Sequence, residues 1–201
     1  MTDPIRRIGP WQVHRTKVSF KNPWIRVESS DVTHPDGSPG IYGVVRLANL
    51  ATGVLPIDND AATWLVGQHR FPFDAYSWEL PEGGGAKDVD PQVSAARELE
   101  EEAGVKADSW ALLGTWPLSN SVTDEIAYGY VAWDTEAGAA APEPSEELAL
   151  KRMPFAELVD RCLKGDITDA FTVLMALTAL ERARRSDLPE PVCALLLRDL
   201  D

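Results

Sequence analysis

The segment "RELEEEAG" (Arg97–Gly104) constrains the chain more than any other. On a helix, Glu98, Glu101 and Glu102 stand at i, i+3 and i+4 and share one face. Glu100 points roughly the other way. Leu99, with Ala95, Ala96 and Ala103, supplies a small-residue face to bury. The helix has a start and a stop: Asp90 suits the N-cap, Pro91 the first helical position, and Gly104 the end. Glu101 and Glu102 therefore sit in the last turn, at the negative pole of the macrodipole. There each anion costs about 0.3–1 kcal/mol, and like charges three or four apart add about 0.2–0.5 kcal/mol per pair. A solvated charged face is one account of such a run. A bound divalent cation is the other, because it reverses both signs, and three carboxylates beside backbone carbonyls form a hard oxygen site suited to Mg²⁺ or Mn²⁺.

Around this helix the pattern alternates between strand and helix. Trp24–Glu28 alternates apolar and polar residues as a half-buried strand, "HPDGS" (His34–Ser38) is a turn, and "IYGVVRL" (Ile41–Leu47) returns. "GVLPI" and "TWLVGQHR" flank Asp58–Asp60 and predict a second hairpin, with Pro56 at an edge or bulge. Phe71–Gly85 reads as an aromatic and glycine-rich loop. Strands follow near Trp110–Trp116 and Glu125–Trp133, and Thr135–Glu147 reads as a long mobile loop. "ELALKRMPF" is a short strand before two helices, near Phe155–Leu163 (ended by Gly165) and Asp169–Arg184. The apolar run Val192–Leu197 is expected to pack on the domain or on a second subunit. No repeat is visible, and the class is α/β (or α+β) with a mixed sheet.

The glycine loop "ELPEGGG" (Glu79–Gly85) stands directly before the helix. The whole stretch "GGGAKDVDPQVSAARELEEEAGV" resembles the Nudix box. Gly83 opens the pattern, and Arg97, Glu98, Leu99, Glu101, Glu102, Gly104 and Val105 fill its later positions at the required spacing. One position departs: Val89 stands where the family has a glutamate that braces the loop by pairing with the box arginine. Arg97 is left to pair with Glu101 at i+4, or with Asp88 or Asp90. "NPWIRV", "YGVV", "VLPIDND", "WLVGQHRFPF", "SWELPEGGG" and "GDITDAFTVLMAL" extend the resemblance to the ADP-ribose or nucleotide-sugar pyrophosphatase branch, from about Trp24 to about Leu180.

The resemblance implies a Nudix α/β/α sandwich with an N-terminal antiparallel strand extension. Residues 1–50 would form that extension and a dimerisation layer, 51–185 the hydrolase domain, and 186–201 a tail. It implies Mg²⁺- or Mn²⁺-dependent hydrolysis of the diphosphate of ADP-ribose or a related nucleotide sugar, giving a nucleoside monophosphate and a sugar phosphate. The alternatives are a GDP-mannose-type hydrolase and a Nudix-fold sensor that binds without cleaving, which the intact glutamate set argues against. Glu98 and Glu102 lead as metal ligands. Glu101 shares a metal or orders water, and the backbone carbonyl of Glu82 or its neighbour adds a ligand. The general base is expected from a later loop, with Glu143, Glu146 and Glu147 as candidates. Arg70 and Glu79 are expected at the substrate, alongside Gly83. Trp24 and Tyr42 are candidates to stack on a base, although strand aromatics are more often core. Glu125 is a weaker candidate, and Arg97 and Gly104 are structural.

Composition trims the remaining classes. A formal net charge of −13 argues against broad binding to nucleic acid or anionic membrane. No stretch approaches the roughly 20 apolar residues of a membrane span. Met1–Pro10 lacks the apolar run of a signal peptide, so a cytoplasmic protein is expected. The two cysteines and three scattered histidines have no metal-ligand spacing, and Cys162 reads as a buried packing residue. The expected partners are a small nucleoside diphosphate and a second copy of the chain.

Overall fold

The computed structural model describes residues 5–141 and 147–200. The chain divides into two compact units, Met1–Leu50 with Pro117–Ile126, and Ala51–Trp116 with Ala127–Asp201.

The first unit is an antiparallel sheet in the order β1 (Arg6–Ile8), β2 (Trp11–Lys21), β3 (Ile25–Thr33), β4 (Pro39–Leu47). The β3–β4 hairpin closes on the expected turn: the His34 N–H donates to Ser38 O at 2.8 Å, and Gly37 takes φ +86°, which glycine adopts without strain. β2 carries two register shifts against β3, which twist the long strand. The returning segment 117–126 joins the edge of β4, where the Val45 N–H donates to Val122 O at 2.8 Å and the Leu47 N–H to the Asp124 carboxylate at 2.9 Å.

The second unit is an α/β/α sandwich. One sheet runs β8 (Glu82–Gly85), β5 (Leu50–Pro56), β10 (Ile126–Ala137), β9 (Val105–Pro117), and β10 is parallel to β5. The other runs β11 (Ala149–Pro154), β6 (Ala62–Arg70), β7 (Ala75–Glu79), antiparallel throughout. Successive residues of a strand face opposite sides, and here they enter different cores. Val54, Trp64, Tyr130 and Ala132 pack with Leu99, Ala95 and Ala103 of α1 (Pro91–Ala103). Leu55, Leu65 and Val131 pack with α2 (Phe155–Lys164), α3 (Ala170–Arg184) and α4 (Glu190–Leu196). The tail thus folds onto its own domain through Val192, Cys193 and Leu196, all buried. Cys162 is also buried, which pushes its thiol up to about 11.

Three local expectations change. The Asp58–Asp60 turn does not join two strands of one sheet; it passes the chain from β5 to β6 in separate sheets. The Asp58 carboxylate shapes it by accepting from the Asp60 and Ala62 N–H groups at 2.9 Å. Pro56 is the last residue of β5, a strand with neighbours on both sides, so its missing N–H falls where the ladder ends. The Phe71–Gly85 stretch contains β7 and β8 rather than a continuous loop.

Candidate active site

α1 has the expected ends. The Asp90 carboxylate accepts from the Gln92 N–H at 2.9 Å, and Gly104 at φ +65° donates back to Glu100 O. Leu99, Ala95 and Ala103 are buried, which fixes the helix's rotation and turns the glutamate face toward β8. Glu102 is 5% exposed, and its Oε2 accepts from the Glu82 N–H at 3.0 Å. The Glu98 carboxyl lies against Gly83, where a Cβ would stand 2.3 Å from its Cδ. Only glycine allows this approach. Glu101 is more open. Glu100 is exposed and pairs with Lys106 at 2.9 Å, outside this face.

Arg97 fastens the helix to the loop. It donates to Glu98 Oε1 at 2.6 Å and Gly84 O at 3.1 Å, and it pairs with Glu101. With Val89 unable to brace the arginine, Glu98 and Glu101 of the arginine's own helix do so. Val89 is itself 40% exposed in a turn closed by its N–H to Ala86 O at 3.1 Å.

A second cluster adjoins the first through Glu82. Arg70, at the end of β6, donates through Nε to both oxygens of Glu79 at 2.9 and 3.0 Å, pairs again through Nη2, and reaches Glu82 Oε1 at 3.3 Å. Glu79 is 2% exposed, so this fork compensates a buried charge. The other Glu82 oxygen is buried with no partner among the described residues. Burial, then the charges of Asp169 and Glu79, push the Glu82 carboxyl well above its ordinary value. Arg70, Glu79 and Glu82 line a cavity of about 480 Å³ with Phe73, Tyr76 and Asp169. Sequence reasoning missed the last three. Asp169 was legible only as a helix start, which it is, accepting from the Thr172 N–H at 2.6 Å.

Trp24 and Tyr42 belong to the first unit. Trp24 is 68% exposed; the Tyr42 hydroxyl donates to Ser121 O at 2.8 Å and its ring meets Trp11 edge-on. Glu125 is half-buried in that unit, and burial raises its carboxyl. Glu147 is exposed, while Glu143 and Glu146 lie outside the described residues. The expected loop from Thr135 begins as strand to Ala137 and then docks on the end of α1: the Gly138 N–H donates to Gly104 O at 2.6 Å and the Ala141 N–H to Glu101 O at 2.9 Å. Carbonyls left without partners at a helix C-terminus explain that docking.

Glu98 and Glu102, beside the backbone of Glu82–Gly84, offer hard oxygen donors alone, and this donor set fits Mg²⁺ or Mn²⁺. Among the described residues no three acidic, histidine or cysteine side chains converge as a metal cluster. Arg97 is bonded to Glu98 and Glu101 instead, so a cation taking both would displace a guanidinium that neutralises them.

Comparison with known proteins identifies the family. The family model for the NUDIX domain matches residues 48–172, and that for the nucleoside diphosphate sugar hydrolase N-terminal domain matches 11–45. The methanol dehydrogenase activator of Bacillus methanolicus is 30% identical over 80% of this chain and 87% of its own length. The ADP-ribose pyrophosphatase of Mycobacterium tuberculosis is 32% identical over 61% of each chain. A crystal structure of an ADP compounds hydrolase superposes with a TM-score of 0.79 over 90% of this chain and 98% of that one; at 20% identity the likeness is one of fold.

Proposed function

The chain belongs to the Nudix family, and from that premise we propose that it is a pyrophosphatase of the nucleoside diphosphate sugar type that hydrolyses ADP-ribose or a close nucleotide sugar with Mg²⁺, giving AMP and ribose 5-phosphate from ADP-ribose. The observation that carries the reading is Glu102, a carboxylate 5% exposed and held by the Glu82 N–H beside Glu98. The two family matches together, and the ADP-ribose pyrophosphatase among the relatives, favour this substrate class.

Glu98, Glu102 and the Glu82 carbonyl would hold the cation, with Glu101 sharing it or ordering the attacking water. When bound, the cation neutralises diphosphate oxygens and makes water more acidic. Water adds to one phosphorus, the bond to the bridging oxygen breaks, and that oxygen leaves on the other phosphate. The water's proton passes to a base, which we assign to the 142–147 segment, with Glu146 and Glu147 as its candidates. The described chain reaches that segment from Ala141, already bonded to Glu101 O. Arg70 is bound to Glu79 and Glu82, yet its Nη1 has no partner among the described residues and suits a phosphate oxygen.

The sheet of the first unit supplies the surface for a homodimer. Among the described residues no helix is long and apolar enough to cross a membrane.

The test is a panel of ADP-ribose, GDP-mannose, NADH, diadenosine polyphosphates and 8-oxo-dGTP with Mg²⁺, read as phosphatase-sensitive monophosphate. ADP-ribose should turn over, and Glu102→Gln should slow it by about 10²-fold or more. Tight binding without turnover across the panel would refute the enzyme; cleavage of 8-oxo-dGTP alone would refute the substrate class.

A further inference from the structure

Between Glu79, the last residue of β7, and Glu82, the first of β8, the chain crosses from one sheet to the other through Leu80 and Pro81. These two residues lie outside both strands, so their buried backbone groups need partners from elsewhere. Pro81 has no N–H, and its carbonyl accepts from the Val54 N–H of β5 at 3.0 Å. The Leu80 N–H donates to Thr172 Oγ1 of α3 at 2.9 Å, a bond between two fully buried residues. Thr172 stands on a helix that otherwise buries apolar side chains, among them Phe171 and Met175. A hydroxyl shut away from water there is explained by the N–H it accepts. Its position is fixed in turn, because the Thr172 N–H donates to the Asp169 carboxylate that caps α3, at 2.6 Å.

We propose that Thr172 is a positioning residue for the hydrolysis: by holding the Leu80 N–H, its hydroxyl fixes the short link between Glu79 and Glu82. The inference deepens the proposed activity and rests on it. The site hangs on this link from both ends. Upstream, Glu79 carries the fork to Arg70. Downstream, Glu82 holds the Glu102 carboxylate through its N–H and is the residue whose carbonyl was assigned to the cation. A shift of the link therefore moves the metal end and the Arg70 end together, and small misplacements of groups around a reacting centre are costly in rate. Without Oγ1 the buried Leu80 N–H loses its acceptor, and the chain either moves to find another or keeps the group unpaired at a cost. Thr172 acts through Leu80, so its effect on the reaction is one of placement.

Two substitutions separate the hydroxyl from the packing. Thr172→Val keeps the branched shape and removes the acceptor, whereas Thr172→Ser keeps the acceptor and removes a buried methyl. Both should melt lower than wild type. Well below either transition, Thr172→Val should lose about tenfold or more in kcat/KM for ADP-ribose and need more Mg²⁺ for half-saturation. Calorimetry should show it binding Mn²⁺ about fivefold or more weakly. Thr172→Ser should stay within about threefold of wild type in all three despite its lower Tm. Function that follows the hydroxyl rather than the Tm distinguishes placement from bulk stability. Thr172→Val equal to wild type in rate and Mn²⁺ affinity, or Thr172→Ser as impaired as Thr172→Val, would overturn the proposal. Should Thr172→Val not fold, Thr172→Cys takes its place, since a thiol is close to serine in size and accepts only weakly; it should fall below Thr172→Ser in rate and Mn²⁺ affinity, and equal values would overturn the proposal. Should the wild type hydrolyse no nucleotide sugar, the proposed activity fails, and the Mn²⁺ arm still decides the role of Thr172.

Discussion

Gly83→Ala separates the chemistry of the site from its stability. The added Cβ would stand 2.3 Å from both Cδ and Oε1 of Glu98, about 1 Å inside an ordinary contact. Gly83 has no positive φ, so alanine accepts the backbone, and the clash is with the far end of a flexible side chain. Glu98 therefore swings away at little cost to the fold. Alanine also narrows the unfolded ensemble, worth about 0.4–1 kcal/mol, so Tm should hold or rise slightly. Displacing a catalytic carboxylate by about 1 Å can cost about 10²-fold. The expected result is kcat/KM for ADP-ribose down by about that factor, with Mg²⁺ half-saturation moved to higher concentration. Initial rates across a Mg²⁺ series, with thermal melts of the same samples, make the measurement. Gly85→Ala is the contrast: its Cβ meets Ser94 Cβ at 2.9 Å and Thr52 Cγ2 at 3.3 Å inside the packed helix–strand contact, and Tm should fall. Gly83→Ala enzyme with activity within about threefold of wild type would refute the idea that the Glu98 position matters.

Two other outcomes follow from the same region. The Glu82 carboxyl is raised in the folded state, so the fold holds its proton more tightly than the unfolded chain does; stability falls as pH climbs from the ordinary carboxylate value up to the folded one. In chelator-treated protein, Glu82→Gln should melt higher than wild type at pH 7 and close to it near pH 4, and parallel melting curves across that range would contradict the assignment. Gly104→Ala combines φ +65° with a Cβ 2.4 Å from Ala140 N and 2.5 Å from Ala139 C, backbone atoms that cannot step aside; melts should show a loss of about 1–3 kcal/mol, and limited proteolysis should cut faster near residues 138–141.

α1 was legible because its signals are local. Asp90, Pro91 and Gly104 each act within one turn, and glutamate spacing alone gives the shared face. The Arg70–Glu79–Glu82 cluster was not, since its partners are chosen across the β6–β7 pairing and no local pattern says which carboxylate an arginine will take. β2 escaped for a related reason: most of "WQVHRTKVSFK" is exposed, so it has no buried alternation, and its strand character comes from pairing with β3. β8 is "EGGG", a sequence with almost no strand propensity, held in its sheet by neighbours. Conversely, the turn at Asp58–Asp60 was read correctly as a turn and wrongly as a hairpin, because both flanking strands are buried and only tertiary pairing assigns them to different sheets.

The first unit is assembled from two stretches of chain that are far apart in order of synthesis. The Leu47 amide finds its acceptor 77 residues later, at Asp124. A ribosome therefore releases the four-stranded sheet with the outer edge of β4 unmatched, and most of the second unit's first half is made before the 117–126 segment arrives to cover it. Closing so long a loop is slow relative to forming the hairpins. The sheet should remain exposed to chaperones or to a sister chain during that interval, and a chain cut after Leu50 would yield a nascent fragment rather than a finished module.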